Sequence, residues 1–188
     1  DLEERIKKLL EESRKNVEDN EKKNKDSLRR SREEVKRLSD ENEKLLKRIR
    51  ERAEKLKTDL KDDKDLLERI ERALREVEDL VRKSKELNDR LLKKSEEVVK
   101  RSLDLIKTLL KRIDDLAKKI LELLKEGRDK RVVETVLREL ERINEEINDI
   151  SRKMLKENEK ILRDIKKINE DMLKRLKEAL ERVDREVN

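Results

Sequence analysis

The chain has 188 residues, of which 56% are charged, 32% apolar and none aromatic, with a formal net charge of +6. It carries one Gly and no Pro, Cys, His or Trp. Without Cys there is no disulfide or thiolate metal site, and without His the commonest metal ligand and general base are missing.

High charge with low hydropathy often marks disorder, but disordered chains favour Pro, Gly, Ser and Gln and lack periodicity. Here Gln is absent, and Leu, Ile, Val, Lys, Arg and Glu dominate. With helical spacing, that composition marks long helices or coiled coils. The charge is also spread out. Residues 1–61 carry a net +4, residues 62–126 a net +1 and residues 127–188 a net +1, with the signs interleaved. Salt-bridged helical surfaces have this pattern, whereas a nucleic-acid footprint is one-sided.

The first predicted helix covers about residues 2–60. Steps of three or four give one stripe along it: Leu2, Ile6, Leu9, Ser13, Asn16, Asn20, Asn24, Ser27, Ser31, Val35, Leu38, Asn42, Leu45, Ile49, Ala53, Leu56, Leu60. The mean step is that of a straight α-helix, about 3.6 residues per turn. Between residues 13 and 31 only Val17 and Leu28 are apolar. Ser and Asn take over the stripe there, which predicts a polar but inward-facing seam. The competing expectation for this stretch is a solvated or frayed piece of helix.

A turn follows near Thr58–Lys64, where Asp62 or Asp63 is placed to cap the next helix. The second helix, about residues 63–126, repeats the pattern with Val77, Leu80, Ser84, Asn88, Leu91, Ser95, Val98, Ser102, Ile106, Leu109, Ile113, Leu116 and Ile120. The second turn is Glu126-Gly127-Arg128-Asp129-Lys130, with Gly127 suited to a left-handed helix end and Asp129 to the next N-cap. The third helix, about residues 130–187, carries Leu137, Leu140, Asn144, Asn148, Ser151, Leu155, Asn158, Leu162, Ile165, Asn169, Met172, Leu176, Leu180 and Val183.

Three helices of nearly equal length, each about 90 Å at 1.5 Å per residue, joined by short turns, predict an all-α, coiled-coil-like fold. The expected architecture is an up-down-up three-helix bundle of antiparallel helices forming a single domain over residues 1–188. Matching levels under this topology groups the polar positions into layers. The expected groups are Asn42 with Ser84 and Asn169, Ser31 with Ser95 and Asn158, and Asn24 with Ser102 and Ser151. A fourth sets Asn16 with Thr108, Asn144 and Asn148. A buried amide or hydroxyl without a partner costs roughly 1–3 kcal/mol, so slips that separate the layers are penalised. A single buried Asn can fix register and oligomer state in coiled coils.

At this point the chain resembles computationally designed helical bundles, specifically parametric bundles with buried Ser/Asn hydrogen-bond networks. The resemblance lies in the equal capped helices, the Glu126-Gly127-Arg128-Asp129 loop, the missing aromatic, His, Cys and Pro residues, and the polar layers. It implies a stable scaffold with no natural function or location, soluble in the cytoplasm of an expression host. Natural spectrin-like or apolipoprotein-like helices normally carry the aromatics, Gln and His that are missing here.

Other chemistries find little support. No Asp or Glu lies on the three stripes, so no metal site or cofactor is expected. Asp62-Asp63-Lys64-Asp65 lacks the Gly and terminal Glu of a calcium loop. Asn24–Arg32 faintly echoes a leucine-zipper basic region, but Asp26, Glu33 and Glu34 would repel phosphates. The polar faces mix charge signs and no apolar run approaches membrane-spanning length, so no membrane or nucleic-acid partner is expected. No signal-peptide pattern opens the chain. No catalytic set or small-molecule site is expected either.

One asymmetry remains. Adjacent apolar pairs are few on the first helix, at Leu9/Leu10 and Leu45/Leu46, and numerous on the second and third. The chain therefore has two expected roles. One is a self-sufficient scaffold that needs no partner. The other is a binding module that pairs with itself or with another designed helical chain.

Overall fold

A computed structural model describes residues 2–127 and 129–187; Asp1, Arg128 and Asn188 lie outside the described residues. It has three helices: α1 (Leu2–Asp59, 58 residues), α2 (Lys64–Lys125, 62 residues) and α3 (Lys130–Val187, 58 residues). The chain is all-α, and pieces of all three helices pack antiparallel. The polar stretch 13–31 is helical throughout.

The turns follow from local chemistry. Asp63, rather than Asp62, caps α2: its Oδ1 accepts from the Leu66 N–H at 3.1 Å, and its carbonyl accepts from the Leu67 N–H. Before it, Leu60 N–H still donates to the Leu56 carbonyl at 2.9 Å. At the second turn Gly127 has φ 67°, a left-handed conformation that a Cβ disfavours. Its N–H donates to the Leu124 carbonyl at 3.3 Å, satisfying one of the end carbonyls of α2. Asp129 then caps α3, its Oδ1 accepting from the Arg131 N–H at 3.1 Å.

Packing gathers the helices into two compact units. Unit 1 is built from Asp1–Arg29 and Ser95–Glu159, unit 2 from Arg30–Lys94 and Lys160–Asn188. Each contains a piece of every helix. The core of unit 1 is dominated by α2 and α3, with Ile106, Ile113 and Ile120 against Leu140, Ile143 and Ile147. From α1 only Ile6 and Val17 are buried in it. Unit 2 has smaller clusters, one around Ile49, Val77 and Leu176, one around Leu56 and Ile70, and one around Val35 and Ile165.

The one-residue stripe read from the sequence is narrower than the buried face. Val17 is buried while its neighbour Asn16 is half-buried. Val81, Val99 and Ala117 on α2 are buried, whereas Leu80, Val98 and Leu116 are half-buried. On α3, Met154, Ile161 and Ala179 take the inner positions and Leu155, Leu162 and Leu180 the margins. A packed helix hides a face more than one residue wide per turn, and the shorter or better-centred side chain takes the middle.

Candidate functional site

The only interior chemistry the sequence offers is the Ser/Asn seam. Of its sixteen positions, twelve are buried: Ser13, Asn20, Asn24, Ser27, Ser31, Asn42, Ser84, Asn88, Ser95, Ser151, Asn158 and Asn169. Asn16, Ser102, Asn144 and Asn148 are half-buried. The stretch 13–31 is thus a helix whose polar side chains point inward at Ser13, Asn20, Asn24, Ser27 and Ser31, and not a frayed segment.

In unit 2 the seam closes into a triad contributed by all three helices. Asn42 of α1 donates through Nδ2 to Asn169 Oδ1 at 3.3 Å. Asn88 of α2 donates to the same oxygen at 3.1 Å. Asn169 of α3 returns a bond from Nδ2 to Asn88 Oδ1 at 2.9 Å and sends another to the Ile165 carbonyl at 2.7 Å. A primary amide has two N–H donors and an oxygen with two lone pairs. Asn169 uses all four.

This differs from the expected grouping of Asn42 with Ser84. Ser84 is buried, but its Oγ has no hydrogen-bond partner. Asn88 lies one turn further along the same face, and its longer amide spans to Asn169, which a hydroxyl on Cβ cannot match.

Unit 1 has a looser arrangement. Asn16 donates to Asn148 Oδ1, and Asn20 donates to Asn16 Oδ1 at 3.3 Å. Asn24 donates to the Asn20 carbonyl at 2.6 Å and reaches Ser151 Oγ at 3.5 Å, the outer limit of a hydrogen bond. Ser95 Oγ donates to Asn158 Oδ1 at 3.0 Å. Among the described residues there, four buried polar atoms have no partner: Ser13 Oγ, Asn24 Oδ1, Asn144 Oδ1 and Asn158 Nδ2. Thr108, expected beside Asn16, is exposed instead and donates to the Asp104 carbonyl of its own helix at 3.0 Å. The nearest acceptor for a helical Thr hydroxyl is a carbonyl one turn back.

Charged residues stay outside. In unit 2 Lys85 Nζ meets Glu43 at 2.5 Å; this hydrogen bond holds the Glu43 carboxyl below its ordinary value and the Lys85 ammonium above its own. The Arg37 hydrogen bond likewise lowers Glu34. Exposed pairs of this kind contribute little to stability. Among the described residues no three acidic side chains gather as a metal cluster, and no helix is long and apolar enough to cross a membrane.

The arrangement can therefore discriminate between packings: it rewards the one in which donors and acceptors meet. Spacing in the sequence located the seam but missed two contributions, the own-helix carbonyls of Asn20 and Ile165 and the burial of Val17. No family model, curated protein or solved structure matches the chain.

Proposed function

We propose that the chain is a designed structural scaffold with no catalytic activity and no natural biochemical role, whose buried polar layers specify register and fold. The observation that carries this is the Asn42–Asn88–Asn169 triad, in which one amide is saturated by partners from all three helices. A slip of α1 or α2 would leave those buried groups unpaired, at roughly 1–3 kcal/mol each. The composition and the lack of any matching family are in keeping with design. The sequence has no His and no Cys, the commonest general base and the thiol nucleophile.

The test compares the parent with the Asn42→Leu/Asn88→Leu/Asn169→Leu variant by light scattering after size exclusion and by guanidinium unfolding. The parent is expected as one species with the mass of one chain, 22.8 kDa. Replacing a whole polar layer by apolar residues removes its desolvation cost, so the variant unfolds at higher denaturant. It should also populate additional species, because an all-Leu layer accepts many pairings. A variant as uniform in mass as the parent would remove specificity as the purpose of the layers.

A further inference from the structure

Unit 2 has three seams between its helices, each with an open groove; cross-helix ion pairs span two of them, and the grooves there are lined mostly by charged side chains. Lys85–Glu43 at 2.5 Å, Arg50–Glu78 at 3.0 Å and Lys57–Glu71 at 3.5 Å bridge α1 and α2. Arg52–Asp184 at 2.8 Å bridges α1 and α3. Among the described residues of this unit no ion pair bridges α2 and α3. The groove there, of about 380 Å³, is floored instead by apolar side chains, Ala73, Val77 and Leu80 of α2 and Ala179 and Val183 of α3. Its rim carries Arg69 and Glu76 from α2 and Arg175, Glu178 and Arg182 from α3. None of these five makes an ion pair or hydrogen bond within the described residues.

The apolar floor continues past the groove. Ala73, Leu80 and Leu87 recur at seven-residue intervals along α2, and Leu87 leaves 43% of its surface exposed. On α3, Ile168 stands seven residues before Arg175, and Arg182 seven after it. A row at this interval is one face of a helix, and it is the seam a partner helix reads. From Ala73 to Leu87 the row is about 21 Å long, or four turns.

We propose that the α2/α3 groove of unit 2 is a docking site for one amphipathic α-helix of another chain, apolar along a single stripe and acidic on its flanks. This goes beyond the scaffold reading and does not depend on it. The two alanines lower the floor, so a helix can approach to ordinary packing distance, about 8–10 Å between axes. The rim holds three arginines and two glutamates, none of them ion-paired among the described residues, so an acidic flank completes it and a basic flank does not. A second copy of this chain does not fit. Its own α2/α3 groove is also concave, and two concave faces meet only at their charged rims. Its helices have already turned their main apolar stripes inward.

Two fluorescently labelled synthetic peptides of about 28 residues, long enough to be helical, test this. Both have Leu at the a and d positions. One has Glu at the flanking e and g positions and the other Lys. Anisotropy titration with the full chain is expected to show the acidic peptide binding at least about tenfold more tightly. Arg175→Glu/Arg182→Glu, at two exposed positions, should reverse the preference with the helical circular dichroism unchanged. Leu87→Lys should weaken binding of the acidic peptide by about tenfold. The proposal is overturned if neither peptide binds, or if binding ignores both variants. It is also overturned if the chain forms dimers that Leu87→Lys dissolves, which would assign the groove to a second copy.

Discussion

The two units solve the same problem with different completeness. In unit 2 the polar seam closes on itself around Asn169, and one buried polar atom, Ser84 Oγ, is left over. In unit 1 the amides form a string, Asn148–Asn16–Asn20, with four buried polar atoms unmet. Unit 1 offsets this with the larger isoleucine-rich core. The same residue type therefore stabilises in one place and weakens in another, and what decides is whether its partners are all present. A complete network rewards only the correct packing, while an incomplete one carries the desolvation cost with less of the return.

The sharpest way to break this comparison is at its centre. Asn169→Ala removes four hydrogen bonds at once and strands the Asn42 and Asn88 amides in the interior. A loss of about 3 kcal/mol is expected in guanidinium unfolding, and a loss no larger than a surface change would deny the triad its role. In unit 1 the sign should reverse. Asn144→Leu eliminates an acceptor that has no donor and adds apolar burial, for an expected gain of about 1 kcal/mol in the same experiment. If both changes destabilise equally, the distinction between closed and open networks fails.

The smallest effect comes from the surface of unit 2. The Glu34 and Glu43 carboxyls sit below their ordinary value in the folded chain, chiefly through hydrogen bonds from Arg37 and Lys85 respectively. A depressed carboxyl supplies stability above its unfolded value and loses it as pH falls through the folded one. The raised Lys85 does the converse, losing its contribution only as alkaline pH passes its folded value. Protection from hydrogen exchange in unit 2, taken relative to the intrinsic exchange rate at each pH, should therefore be flat around neutrality and fall slightly below the ordinary glutamate range. Added salt should erase the effect, since these side chains are exposed.

Much of the architecture is legible in the sequence. The helix ends fall within a residue of where Asp63, Gly127 and Asp129 place them, because capping is local chemistry. The polar seam is also legible, since all twelve buried polar residues lie on the 3.6-residue stripes. The pairing is not. Ser84 and Asn88 are one turn apart on one face, and spacing alone does not separate them. The choice rests on side-chain reach, and on the competing carbonyls of Asn20 and Ile165, which periodicity does not report. The apolar floor of the α2/α3 groove is likewise invisible until the two helices are seen packed together.

The sequence separation inside the triad also sets an order of assembly. Asn88 and Asn169 are 81 residues apart, while Asn42 and Asn169 are 127 apart. Asn42 and Asn88 are closest, 46 apart within the continuous stretch Arg30–Lys94 of unit 2, and closing the shorter loop costs less chain entropy. The α1/α2 hairpin of unit 2 should therefore form first, with α3 docking afterwards and bringing Asn169 to the waiting Asn42 and Asn88 amides. Removing the Asn169 amide would then speed unfolding and leave the folding limb of the chevron almost unmoved.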